Sequence, residues 1–263
     1  MLAENGSAKQ IIYLGEQANV ITSEAADKLA QILKKMSGAS FEIRRCRTVP
    51  DAGIVIATVA DFPDLSPELN LPADDPATRQ GYTIVSDGKR LLLLGATPQG
   101  AANAIADLLY RLGYRQFFAG SNWEVAPQTA RMEFAGRITE SPDFLFRNIW
   151  SAHKVWPEEI ASKKHYDLIN RHIGEYLQLS HMYTAFIAKN QAEFSAHPEY
   201  YALVNGKREP INSNTKLCIS NPGLRTLMLD YIRGVLKDDP TKTTVSVEPS
   251  DGGNWCQCKE CVK

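Results

Sequence analysis

The sequence predicts an α/β chain: a small mixed-sheet domain first, then a run of parallel βα units. Three observations lead there. The first half alternates short apolar runs with two amphipathic helical patterns and one tight hairpin. The second half reads strand, helix, strand, helix, strand, the order that builds a parallel sheet. The last twenty residues carry an alternating strand straight into a loop crowded with carboxylates, an indole and thiols.

Composition sets the frame. At 263 residues the chain has room for two domains of ordinary size. With 44% hydrophobic and 22% charged residues it has material for globular cores. A net charge of −1 gives no electrostatic footprint for nucleic acid or an anionic membrane. No apolar run approaches the roughly 20 residues a membrane-spanning helix needs. The polar opening Met1 to Gln10 lacks a signal-peptide core, and fits a cytosolic start as well as a mature one. Five cysteines, three of them within six residues, argue against a distributed disulfide framework.

In the first half, Ile11 to Leu14 is a short strand. Thr22 or Ser23 is the expected cap of a helix through Ala26, Leu29, Ile32, Leu33 and Met36, with Gly38 as its stop. Phe41 to Arg44 and Ile54 to Ala57 are further strands. Tyr82 to Val85 and Arg90 to Leu94 flank Asp87-Gly88 as a hairpin. Thr97 and Pro98 suit the cap and first position of a helix through Ala101, Ile105, Leu108 and Leu112. Gly95 and Gly100 form no phosphate loop, because neither fingerprint is present. Tyr110, Tyr114, Phe117, Phe118 and Trp123 read as packing, and Cys46 as an ordinary free thiol.

Residues 139–143 read as a linker. Phe144 to Trp150 is then a strand, followed by a helix from about Glu158 to Gln178 and a strand from His181 to Ile187. His197, Pro198 and Glu199 read as a docked surface loop, and Asn205-Gly206 as a turn. Asn221 and Pro222 begin a helix with a stripe at Leu224, Leu227, Met228, Tyr231 and Val235. The last strand puts Val245 and Val247 on one face and Thr244, Ser246 and Glu248 on the other. Three strands cannot close a barrel, which takes about eight. The parallel layer is therefore either small and open or the front of something longer. An uncovered last strand favours the second.

Thr97 to Gly100 together with Tyr110 to Arg115 resembles the small domain that precedes the barrel in α-glucuronidases and β-hexosaminidases. His197 to Arg208, Leu217 to Pro222 and Val247 to Cys261 resemble an uncharacterised bacterial family that joins such a domain to a glycoside-hydrolase-like (β/α)8 barrel. The resemblance covers nearly the whole chain. It implies an accessory domain over residues 1–130 and the first βα units of an incomplete TIM-type barrel over 140–263. It also implies an exported protein acting on carbohydrate, with the barrel continuing past Lys263 and the acid and base on later strands.

Within the chain, Glu248 and Asp251 are the best carboxylate pair for glycoside hydrolysis, which generally takes two. They also fit plainer roles, Glu248 as partner of Arg147 and Asp251 as a turn cap. Arg147, Trp150, His181, Tyr183 and Trp255 suit a sugar-binding rim, since guanidinium and aromatic faces match hydroxyls and pyranose rings. Cys256, Cys258 and Cys261, with Cys218 as a fourth, match a structural Zn²⁺ site. A disulfide or free thiols are the competing readings. The rival to a hydrolase is a non-catalytic module in which a zinc knuckle and an aromatic rim bind glycan or a partner protein.

Overall fold

The computed structural model describes residues 1–71, 76–149, 157–172, 180–239, 242 and 244–263. The chain forms two compact units, Met1–Glu175 and Tyr176–Lys263. The protein is a mixed α/β structure. Its largest sheet contains β1 (Ile12–Gly15), β2 (Ile43–Cys46), β3 (Gly53–Thr58), β4 (Tyr82–Ser86), β5 (Arg90–Gly95) and β6 (Arg137–Glu140). The strand order is β6-β4-β5-β3-β1-β2. β2, β1, β3 and β5 run parallel, while β4 is antiparallel to both β5 and β6.

The apolar runs of β3 and β5 are unbroken because both faces of the sheet are covered. Ile54, Ile56, Leu91 and Leu93 join one core with α1 (Val20–Ser37) and α2 (Pro98–Arg111). Val55, Ala57, Leu92 and Leu94 join a second core with Phe62, Leu65 and Leu69. Period-two alternation assigns each side chain to its core. The α2 N-terminus sits tightly on the sheet. A Cβ at Gly95 would meet the Ala101 nitrogen at 1.9 Å, and one at Gly100 the Gly81 oxygen at 2.3 Å. These two glycines therefore serve close packing.

Several elements differ from expectation. α1 starts at Val20, where Asn19 accepts from the Ile21 N–H, so Thr22 lies buried inside the helix. The strand expected at 41–44 is Ile43–Cys46, because parallel pairing matches Ile43 to Ile12 while Phe41 enters the core. Residues 137–140, half of them expected as linker, form β6. Among the described residues 144–149 there is no strand. There Gln80 donates to the Leu145 carbonyl at 2.8 Å, and the Arg147 guanidinium turns back onto the Phe144 carbonyl. Of the aromatic cluster, Tyr114 is buried, while Tyr110 and Phe117 are exposed. Phe118 packs edge-on against Trp123 and tilted against Tyr166, although both Phe118 and Trp123 are partly exposed.

α3 (Pro157–Ile169) also stops early. Arg171 adopts φ 58, with its N–H bonded to the Leu168 carbonyl and the His172 N–H to the Asp167 carbonyl. That is a Schellman closure with arginine where glycine is usual. The expected continuation to Gln178 falls outside the described residues.

The second unit contains α4 (Tyr183–Lys189), α5 (Gln191–Ala196) and α6 (Pro222–Asp238). α4 replaces the strand expected at 181–187. Met182, Tyr183 and Phe186 are its buried residues, with Ile187 partly buried, and this spacing is helical. The strand expected at 243–248 is reduced to a parallel bridge between Glu248 and His181, and Thr243 lies outside the described residues. Asn221 caps α6 as expected, accepting from the Leu224 N–H at 3.1 Å. Asn205 and Gly206 form the turn with φ 50 and 79, closed by reciprocal bonds between Val204 and Lys207.

Candidate functional site

The chemistry of the second unit gathers around its last loop. Cys218 precedes α6, while Cys256, Cys258 and Cys261 follow a turn made by Asn254 at φ 65. All four sulfurs lie within 4.8 Å of one another. Cys218 Sγ is 3.6 Å from Cys258 Sγ and 3.9 Å from Cys261 Sγ. A tetrahedral ion with bonds of about 2.3 Å places its sulfurs about 3.8 Å apart, and a disulfide brings them to about 2.05 Å. The cysteines are free, and the four of them could hold a metal ion.

The surroundings suit thiolates unevenly. The Leu203 N–H donates to Cys256 Sγ at 3.3 Å, yet burial pushes that thiol up to about 11. A hydrogen bond from Ser220, with a backbone N–H from Cys261, holds Cys258 down at about 5. Burial pushes Cys218 up, but bonds from Ser220 and Arg208 outweigh it and leave this thiol below its usual value. Ser220 Oγ reaches three sulfurs, at 3.0 Å from Cys261 and 3.5 Å from Cys218 and Cys258. Ser220 and Arg208 escaped sequence reasoning because neither spacing nor residue type marks a sulfur neighbour.

Beside the sulfurs stands Lys216, 1% exposed. Its ammonium donates to the carbonyls of Ser250, Asp251 (2.6 Å) and Asn214 (3.4 Å) and lies 5.1 Å from the Trp255 ring centroid. Three carbonyls and an indole thus replace its water. No sequence signal points to it, since lysines almost always stay on the surface.

The predicted carboxylate pair separates into two roles. Asp251, its side chain 79% exposed, lies 3.1 Å from His181 Nε2, while His181 Nδ1 faces the Pro249 carbonyl at 2.8 Å. Both ring nitrogens thus meet acceptors. Glu248 is exposed, and its backbone rather than its carboxylate makes the bridge to His181. Tyr183, expected on a sugar-binding rim, is packed in the core instead, where burial raises its hydroxyl's pKa. Trp255 is 60% exposed, with the Lys216 ammonium set against its ring. Trp150 lies outside the described residues.

Arg147 belongs to a different place, a cleft of about 540 Å³ in the first unit. Its Nε donates to the Arg171 carbonyl at 3.0 Å and its Nη2 to Gln80 Oε1 at 2.5 Å. Burial, then the neighbouring Arg171 charge, holds its pKa below the usual guanidinium value. Arg171 donates to the Tyr82 hydroxyl at 3.1 Å and stands 3.6 Å from Asp107.

With this geometry in place, comparison identifies relatives. Residues 118–263 match the model of a domain of unknown function, DUF4838, over more than half of the chain. The chain belongs to this family. No curated protein matches the sequence. Among solved structures, a family GH115 4-O-methyl-α-glucuronidase with specificity for decorated arabinogalactans is 14% identical, with a TM-score of 0.55. The match covers 97% of this chain and 38% of that one, which shows a shared fold. The Flavobacterium johnsoniae chitobiase is 14% identical over 93% of this chain and 41% of its own, at TM-score 0.41. The Streptomyces plicatus N-acetyl-β-hexosaminidase is 14% identical over 87% and 52%, at TM-score 0.37. This family member spans 38% of the length of the first of these enzymes.

Proposed function

We propose that the chain is part of an exported, carbohydrate-active protein of the glycoside hydrolase kind. The observation that carries this is the backbone likeness, over 97% of the chain, to an enzyme whose description names decorated arabinogalactans. On this reading Trp255 offers its exposed ring to a sugar face. Binding of the purified chain to a panel of plant and bacterial polysaccharides tests it. Retention on at least one, weakened by Trp255→Ala, supports the reading; no retention on any of them sinks it.

The proposal includes a structural Zn²⁺ held by Cys218, Cys256, Cys258 and Cys261. Four thiolates fill a tetrahedral ion, so it would supply cross-linking and no open position for catalysis. Metal analysis with a parallel thiol count decides the point. One zinc per chain, lost in Cys258→Ser, is the expected result; two thiols missing without metal would mean a disulfide.

One observation favours the rival reading, a non-catalytic glycan-binding module. Asp251 is occupied by His181, and both it and Glu248 are exposed rather than enclosed around a scissile bond. Glycan binding with no turnover by the full-length protein would select it.

A further inference from the structure

We propose that the cleft of the first unit is a subsite for a carboxylate-bearing sugar, clasped by Arg147 and Arg171. The inference rests on the carbohydrate reading above and names the ligand's class. At about 540 Å³ the cleft falls in the range of small-molecule sites. Arg147 gives three of its five N–H groups to the Arg171 carbonyl, the Phe144 carbonyl and Gln80 Oε1. All three acceptors are neutral. The guanidinium is thus fixed in place with two donors left and, among the described residues, no carboxylate against it. Burial and the Arg171 charge depress its pKa, as an uncompensated cation beside a second cation requires.

Arg171 is positioned at a cost. Its φ of 58 is one that L-residues avoid by about 1–2 kcal/mol, and glycine there would close α3 without strain. Backbone strain of this kind concentrates where a side chain is needed. Its counter-charge is shared, because Asp107 lies 2.9 Å from Arg111 and 3.6 Å from Arg171. One buried carboxylate thus serves two guanidiniums, while Arg147 has none among the described residues.

The remaining lining selects a sugar acid over a bare anion. Glu140 and Asp143, both exposed, also border the cleft and would repel a simple anion. Carboxylates accept from hydroxyls, however, and Phe146 offers an apolar face to a pyranose ring. A hexuronate carries both halves of that pattern: a planar carboxylate for the arginine forks and a ring of hydroxyl donors.

Calorimetric titration of the whole chain with D-glucuronate, D-galacturonate, D-glucose, acetate and inorganic phosphate tests this. At least one uronate should bind about tenfold more tightly than glucose, acetate or phosphate, with the preference lost in Arg147→Gln. Asp143→Asn, an exposed change that leaves folding alone, should tighten the uronate about two- to threefold by removing a like charge. Uronate and glucose binding equally would overturn the acidic-sugar inference and leave the carbohydrate reading standing. Acetate or phosphate binding as well as the uronate would reduce the cleft to a general anion hole and overturn it too. No binding by any of the five overturns it, while retention on polysaccharide still decides the broader reading.

Discussion

The two units hold themselves together by different means. In the first, β3 and β5 bury side chains on both faces, and α1 and α2 seal one of them with an alanine- and leucine-rich layer. In the second, the main core gathers Phe186, Phe194, Tyr200, Tyr201 and Leu224, and a separate cluster consists of Ala202, Cys218 and Cys256. Small cores stabilise little on their own and are commonly stapled by metal or disulfide. The sulfur cluster and the Lys216 cage join the loop at 250–261 to the segment 203–220. The difference teaches that an apolar period can specify the first unit, whereas the second depends on a few polar and sulfur contacts between residues distant in sequence.

The sharpest way to break the comparison is to remove the staple. On the proposed zinc reading, Cys258→Ser or a strong chelator should abolish slow amide exchange across 203–218 and 250–261, because metal-binding free energy in such sites is folding free energy. Protection in β1, β3 and β5 should persist. Equal loss in both units would erase the distinction. The converse test is Leu93→Ala, which removes a fully buried side chain from the central sheet. It should cost the first unit about 3–5 kcal/mol in denaturant unfolding and leave metal content unchanged.

Lys216→Met comes next. The substitution keeps the length and strands the Ser250 and Asp251 carbonyls, so about 2–3 kcal/mol should go from the second unit. Faster exchange at 249–255 with protection at 256–261 unchanged would show that the cage and the sulfurs act separately. A change below about 0.5 kcal/mol would mean that water replaces the ammonium without loss.

A milder handle on the first unit is pH. His165 Nε2 meets the Tyr114 hydroxyl at 2.9 Å, and that hydroxyl also reaches Glu124, which pairs with Lys35. Burial first, then the charge of Lys28, depresses the His165 pKa, with Glu124 opposing. The folded state therefore binds its proton less readily than the unfolded chain. This contribution is complete above about 6.5 and is lost as pH falls from there toward the folded value. His172, depressed chiefly by burial, adds to the same trend. Urea midpoints for the first unit should fall between pH 7.5 and 5, and His165→Gln should flatten that slope. An unchanged slope would remove His165 from the account.

How much could be read from the sequence follows the same division. The hairpin around Asp87-Gly88, the Thr97 and Asn221 caps and the Gly38 stop are local chemistry, and each is where its residues put it. β6 was hidden because Arg137 to Glu140 lacks an apolar run and gains its place only by pairing with β4. α4 was misread because a short apolar stretch fits either period, and length alone does not separate them. The cysteine set was legible from spacing, down to Cys218 as the distant fourth member. The Lys216 cage and the three neutral acceptors around Arg147 were not, because both are brought together by long-range folding.

The smallest predicted effect bears on whether local signals count equally in both units. Asn19 accepts from Ile21 at 2.9 Å at the start of α1, and Asn221 accepts from Leu224 at 3.1 Å at the start of α6. Replacing either by alanine leaves one helical N–H without its side-chain acceptor and should cost about 1 kcal/mol in its own unit. Asn221 also lies next to Ser220, which touches three sulfurs. On the proposed zinc reading, fraying of α6 should therefore loosen the metal as well, raising the rate at which a chelator strips it, while Asn19→Ala leaves that rate alone. If both variants lose the same stability and neither changes the stripping rate, the α6 cap is a purely local device.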